Sequence, residues 1–562
     1  MLYEVEQVEG DRATHGAILD SAEAFVAEWG HLDPLLDRSP PAMVPDAQGR
    51  NVVVTPDESK RLIAAYRRQG FAELADLGVP FAVHCSVAYT LNAAFSSNVL
   101  AHFVLTRCAA DLLAAHGSET LKEEYLGKLR SAEWMGTMAL SEPQAGSSLA
   151  GIRTLATPTG TSGEYRIKGD KMWTTCAFHD LSDNIVHMLL ARTPDAPNGA
   201  GGISLFLVPN RLQDGTPNDV DLISLNKKMG HRAVSNCAWT LGDRTGGAIG
   251  YLVGSEHRGL SCMFVMMNAM RIEVGLGAAA LGKRGFLESL LYAQQREQGG
   301  RPIIEYDDVK RMLLLQKAYA EGSAALCLHA ASLHDRAAAG DAEAAALLDV
   351  STEIVKSWPS EWALEGNKLA MQVLGGAGYV QDYPLEQLYR DQRLNMIHEG
   401  TAGIHAKTLV GRKLQGGGGR HLFEAMRRDV LAAEAQASIS GAAARAVLVE
   451  CAGALGCAVD RAEEVAAHLT RPEHKALALV NAHEALTMLG HTTAAWMWLR
   501  MATAAARGLQ RGTEGEAAQA FYVGKLHTCT FFYRHELPRT QAMASLLLSL
   551  DGTVGEMQAG WF

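Results

Sequence analysis

Apolar side chains recur at three- and four-residue spacing through residues 96–128 and predict helix. Gly117 interrupts the pattern, and Ser118 opens a fresh helix with Lys122, Glu123 and Glu124 on its outer face. Residues 1–133 therefore read as an N-terminal helical domain, with Pro40, Pro41 and Pro45 marking an early loop. The texture changes over 134–254. Short runs such as GEYRIKGDKMW, NIVHMLLAR, GGISLFLVP and NCAWTLGD lie between Gly, Pro, Asn and Asp, which is strand-and-turn grammar. No long helices alternate with these strands, so an antiparallel barrel or sandwich fits better than a doubly wound parallel sheet. Helical period returns over 255–414. The run QGGGGR at 415–420 then predicts a slack linker, because consecutive glycines hold a helix poorly. Residues 421–562 read as an appended helical domain. The expected class is α+β, in the order α, β, α and a further α region.

A length of 562 residues suggests about four structural units. The composition, 48% hydrophobic and 20% charged, excludes wholesale disorder and coiled coil. The net charge of −11 argues against a surface built for nucleic acid. The nine cysteines include no CxxC pair, so we expect reduced thiols rather than a disulfide framework or a zinc site, and no metal is expected. The first residues lack the basic start and apolar core of a signal peptide, and no stretch reaches the ~18 consecutive apolar residues of a spanning helix. A cytoplasmic protein without a membrane span is expected.

Four segments could carry chemistry. MALSEPQAGSSLAG crowds Ser141, Gly146, Ser147 and Ser148 into one loop after an apolar strand, able to offer N–H and hydroxyl donors; an ordinary Gly/Ser turn has the same composition. GDKMWTTCAF sets Trp173 beside Thr174 and Thr175, which suits a flat heterocycle needing stacking and edge hydrogen bonds, or simply a core position. Arg271 interrupts an apolar helix face and so is paired or bound to an anion, while Arg296 stands at a helix end before Gln298. In MQVLGGAGYVQDYPLEQLYRDQRLNMIHEGTAGIHAKTL, glycines 375, 376 and 378 stop a helix and permit close backbone approach to a ligand. Glu399 lies in apolar surroundings that would raise its pKa toward a general-base value.

In this order and at these separations, the SEP-x-AGS loop, the KMWTT strand, two arginines 25 residues apart and Q-x-x-GGxGY followed by the EGT glutamate resemble the acyl-CoA dehydrogenase family. The resemblance covers about residues 80–414. The chain length and the VGRKL sequence look like its longer subgroup, which includes 3-(methylthio)propionyl-CoA dehydrogenases. The resemblance implies an FAD enzyme that converts an acyl thioester, of CoA or acyl-carrier protein, to the trans-2-enoyl thioester. Glu399 would take the α-proton, and FAD would accept the β-hydride. Leu140, Ser141, Trp173 and Thr175 would line the flavin ring, with Gly146 and Ser147 in the adjoining flavin–substrate loop. Arg296, Gln298, Gln372 and Gly376 would reach the pyrophosphate and adenosine end, on a neighbouring subunit's FAD. Thr401 and Gly403 would close over the cofactor, and Arg271 would face the acyl-CoA beside the base. Donors to the thioester oxygen would be a ribityl hydroxyl and the N–H of the glutamate itself. The resemblance further implies a homodimer and an electron-transfer flavoprotein as acceptor.

The sequence departs from the family pattern at Ser148, where Asp is usual, at Gln387, where Lys or Arg is usual, and at His398, where Tyr often precedes the base. A charged His398 would lower the Glu399 pKa. Two rivals share the fold: a flavin monooxygenase, against which Glu399 argues, and a non-catalytic nucleic-acid-associated relative. Residues 421–562 hold 12 Lys/Arg and 14 Asp/Glu, a net of −2, with no basic cluster to drive phosphate binding.

Overall fold

A computed structural model describes residues 6, 8, 10–74, 76–512 and 515–562. The chain divides into two compact units, one comprising Glu23–Val79 and Ala94–Met270, the other Met1–Ala22, Pro80–Ala93 and Arg271–Phe562.

The first unit joins a helical layer to a sheet. Its helix Ala101–His116 stops before Gly117, and the Ser118 hydroxyl caps the next turn by accepting the Leu121 N–H at 3.3 Å, where the sequence places the break. The stretch expected as an early loop forms a hairpin instead. Strand β1 (Ala42–Pro45) pairs antiparallel with β2 (Asn51–Val54), whose three valines supply strand preference.

Eight strands form the sheet: β3 (Met135–Ala139), β4 (Leu155–Pro158), β5 (Glu164–Thr175), β6 (Ile185–Arg192), β7 (Ile203–Pro209), β8 (Val220–Leu225), β9 (Asn236–Leu241) and β10 (Ala248–Val253). The order is β10-β7-β6-β4-β5-β9-β8, and a further β10–β5 pairing closes the middle strands on themselves. Most pairs are antiparallel, as expected. The exceptions are β3 and β4, each of which pairs parallel with β6; β3 reaches β6 only after a long connection, as parallel pairing requires. β6 and β7 are buried along nearly their whole length, which explains their unbroken apolar spelling, whereas β5 alternates.

The second unit is helical. Helices Asp307–Ala338, Ala342–Leu374, Gly418–Ile439, Ala442–Leu469, Ala482–Arg511 and Glu516–His535 share one hydrophobic core, from Cys85 through Trp358 and Leu448 to Trp498 and Phe532. The appended region is thus continuous with the helical bundle before it. The glycine run is a tight turn rather than a slack linker: Gly416 and Gly417 take left-handed φ of 65° and 88°, and Gly418 already starts the next helix. Buried Leu409, Leu414, Leu422 and Phe423 on either side fix the turn. Helices Gly259–Gln295 and Ala442–Leu469 are long and apolar enough to cross a membrane by length and hydropathy, although neither is an unbroken apolar run. In the fold, 76% of the apolar window of the first is buried and 33% of the second.

Candidate active site

In the sheet unit, β5 carries a bulge between Lys171 and Thr174. There Trp173 adopts φ +64°, a conformation side chains avoid, and its indole is 58% exposed. Thr174, one residue on, is buried, and its hydroxyl accepts the Trp239 indole N–H at 2.9 Å. Asn236 ties the bulge down by donating to the Trp173 carbonyl and the Thr175 hydroxyl, both at 3.1 Å. The core alternative for Trp173 is therefore corrected: the bulge turns the ring outward.

The Leu140–Ser147 loop is held against this strand. The Met172 N–H donates to the Ser141 carbonyl at 3.0 Å, and Lys171 Nζ donates to the Leu140 carbonyl at 3.2 Å. Lys171 also donates to Glu142 at 3.0 Å and to the Leu190 carbonyl at 2.7 Å. Burial alone would raise the Glu142 pKa, but Lys171, the Thr154 hydroxyl and the Arg153 amide bring it down to about 2. Leu140 and Ser141 are thus held against the end of β5 that carries Trp173 and Thr175, and the loop runs on through the exposed Gly146, Ser147 and Ser148. An exposed indole on a fixed bulge beside exposed small residues fits a flat cofactor such as FAD.

In the helical unit, Glu399 sits on the short loop before helix Ala402–Thr408, with φ +53°, followed by Gly400 at φ +93°. A Cβ on Gly400 would lie 2.7 Å from the His405 ring, so only glycine fits. Glu399 is half-buried. Burial raises its carboxyl pKa, and the opposing positive charges are Arg271 and Lys356 rather than His398, whose ring meets the Asn395 side chain at 3.3 Å. Arg271 is buried and donates through one guanidinium nitrogen to Glu353 at 3.1 Å. Pro359 helps bring these helices together. Without an N–H it frees the Val355 carbonyl, and Gly275 on the facing helix leaves room for that carbonyl. Thr401 is half-buried at the start of the helix, and Gly403 is exposed beyond it.

Arg296 follows the end of helix Gly259–Gln295, where β11 (Glu297–Gln298) turns back onto β12 (Arg301–Pro302) through Gly299 and Gly300. Arg296 and Gln298 are exposed, as are Gln372 and Gly376 at the end of helix Ala342–Leu374. Gly375 stops that helix with φ +60°. Gly378, predicted to admit a ligand, instead packs on its own helix, since a Cβ there would lie 2.4 Å from the Met371 carbonyl. Twenty-five residues separate Arg271 from Arg296, about 37 Å of helix, so the structure keeps the two arginines apart. Gln387 is buried and donates to Asp391 at 3.3 Å. Glu142, Lys171, Asn236, Glu353, Lys356 and His405 were not singled out from sequence.

Comparison with known proteins matches residues 257–414 to the family described as "Acyl-CoA dehydrogenase, C-terminal domain", 137–243 to "Acyl-CoA dehydrogenase, middle domain" and 431–558 to "Acetyl-CoA dehydrogenase C-terminal like". The chain is 34% identical to a 3-methylmercaptopropionyl-CoA dehydrogenase of Ruegeria pomeroyi, over 95% of this chain and 94% of the relative. Among solved structures, Caenorhabditis elegans ACDH-11 in complex with C11-CoA superposes with a TM-score of 0.75 at 19% identity, covering 98% of this chain and 93% of that one. An acyl-CoA dehydrogenase from Bacillus anthracis complexed with FAD superposes at 0.72 and 19% identity, covering 98% and 90%.

Proposed function

The chain belongs to the acyl-CoA dehydrogenase family, an FAD-dependent oxidoreductase acting on CH–CH bonds of acyl-CoA, and we propose that Glu399 is its catalytic base. The observation that carries this reading is the carboxyl itself: half-buried, its pKa raised by burial, and held in a left-handed turn. A carboxylate whose pKa is lifted toward working pH is a stronger base than a solvated one. It removes the α-proton of the acyl thioester, and the Glu399 N–H donates to the thioester oxygen as charge develops there. Bound FAD supplies the hydride acceptor. Leu140, Ser141, Trp173 and Thr175 would hold the flavin ring, with Gly146 and Ser147 in the adjoining loop.

Arg296, Gln298, Gln372 and Gly376 bind the pyrophosphate and adenosine end of a second subunit's FAD. This is supported by their exposure and by the ~28 Å of helix between Glu353, whose partner His405 bonds the Glu399 carbonyl, and Gln372. Exposed Leu287, Leu291 and Tyr379 on the same segments support a homodimer. Light scattering tests it, and a monomer or a clean tetramer would exclude it. A reducing cytoplasm suits the nine free thiols, and electron-transfer flavoprotein is the acceptor that the family suggests.

The test is anaerobic. Butyryl-, 3-methylthiopropionyl- and octanoyl-CoA are added in turn to the yellow protein; at least one bleaches it, and Glu399→Gln retains FAD but does not bleach. Wild-type bleaching by Glu399→Gln would assign the base elsewhere.

A further inference from the structure

We propose that His405 and Lys356 are positioning residues for the Glu399 base, clamping the two successive carbonyls of the left-handed Glu399–Gly400 turn. The proposal rests on the reading of Glu399 as base.

Lys356 Nζ donates to the Gly400 carbonyl at 2.6 Å, and the His405 ring meets the Glu399 carbonyl through Nε2 at 3.0 Å. A carbonyl only accepts, so Nε2 is the donor. The other ring nitrogen bonds Glu353, which also receives Arg271. Burial works against ionised Glu353, yet the His405 hydrogen bond and the Arg271 charge hold its pKa below the usual carboxylate range. Glu353 and Lys356 lie one turn apart on helix Ala342–Leu374, so a single helix face fixes the loop from both sides.

Two features set this network apart from ordinary core packing. A non-glycine residue at φ +53° is strained and persists only where its surroundings over-determine it. The clamp acts on both peptides of that turn and thereby sets where the Glu399 side chain and N–H point. Second, Lys356 is fully buried, yet the partner its ammonium meets among the described residues is a neutral carbonyl. Burial pulls its ammonium down to about 8, a poor arrangement for stability alone. The same ammonium and the Arg271 guanidinium are the cations that face Glu399, opposing its upward shift.

The experiment uses the FAD-loaded full chain and whichever of the three acyl-CoAs bleaches the wild type fastest. Three variants are compared with Glu399→Gln. Lys356→Met keeps the bulk and removes the donor. His405→Gln places an amide near the Nε2 position and retains a donor to the Glu399 carbonyl, whereas His405→Asn reaches only toward Glu353. We expect Lys356→Met and His405→Asn to load FAD and bind acyl-CoA with an apparent dissociation constant within about threefold of wild type, while their limiting reduction rate falls by about tenfold or more. His405→Gln should stay within about threefold of wild type in rate. Hydrogen exchange at amides 399–401, followed with and without FAD, should quicken in the first two variants and not in His405→Gln.

Wild-type reduction rates in both Lys356→Met and His405→Asn, beside an inert Glu399→Gln, would overturn the clamp and leave the base reading intact. Bleaching by Glu399→Gln would overturn both. Failure of all three clamp variants to take up FAD would make the network structural and also overturn the proposal.

Discussion

Lys171 and Glu142 form an ion pair at 3.0 Å in which neither side chain reaches solvent, and the same lysine holds the Leu140 carbonyl. One buried contact thus joins the strand carrying Trp173 to the loop carrying Ser141. Removing one member of such a pair leaves an uncompensated charge, at a cost of about 3–5 kcal/mol. Lys171→Met should lower stability by that order in urea unfolding of the apoprotein and reduce FAD occupancy, read from the visible absorbance. Wild-type stability together with full FAD content would remove the pair from the flavin platform.

Trp173 presents the opposite case, an aromatic ring that contributes little to the fold. At 58% exposure it loses few contacts on truncation, so Trp173→Ala should change apoprotein stability by no more than about 0.5 kcal/mol. FAD affinity should nevertheless fall by about tenfold, the equivalent of a lost stacking contact of ~1–1.5 kcal/mol. Equilibrium dialysis of the apoprotein against FAD measures this directly. A destabilised apoprotein with unchanged FAD affinity would return the ring to a structural role.

The sequence shows the candidate residues of the sheet unit and of the helical unit unequally. Trp173, Ser141 and Glu399 stand out because each sits in a short window whose composition is itself unusual. Glu353 and Lys356 do not, because charged residues three apart on a long helix look like a solvated stripe. Their burial depends on Arg271 and His405, 82 and 52 residues from Glu353 along the chain. The pair Glu142–Lys171 is hidden for the same reason. Pairing is a tertiary property, and only the α, β, α order follows from local period. The glycine run at 415–420 misleads in the other direction. Its composition signals slack, yet the apolar residues on both sides are buried and hold it as a turn. The β1–β2 hairpin is masked by its prolines, although Asn51–Val54 spells a strand.

Three buried histidines make the sheet unit sensitive to acid. Burial holds His102 and His187 down to about 4 and His231 to about 3. As pH falls below about 6.5 the unfolded chain takes up these protons first, so stability is full above that value and drains away toward pH 4. Each ring contributes a loss of up to about 2–3 kcal/mol by pH 4.5, at ~1.4 kcal/mol per pH unit. Urea unfolding at pH 7.5, 6.5, 5.5 and 4.5 should show a steadily falling midpoint, and His187→Gln should flatten the curve. A midpoint independent of pH over this range would refute the assignment.

The pH profile of flavin reduction tests the balance of forces on Glu399. Burial raises its pKa, so the rate of anaerobic bleaching should rise with pH along a limb centred above 4.5, the ordinary glutamate value. Arg271 opposes that shift through its positive charge. Arg271→Met removes the opposition, and the limb should move further up the pH scale. The same substitution strips Glu353 of one buried partner while His405 remains, so some loss of stability accompanies it. FAD content, measured on the same samples, separates the two effects. A limb that stays in place in FAD-loaded Arg271→Met would mean that the guanidinium does not influence the base electrostatically. A limb that moves down would reverse the sign of the charge argument altogether.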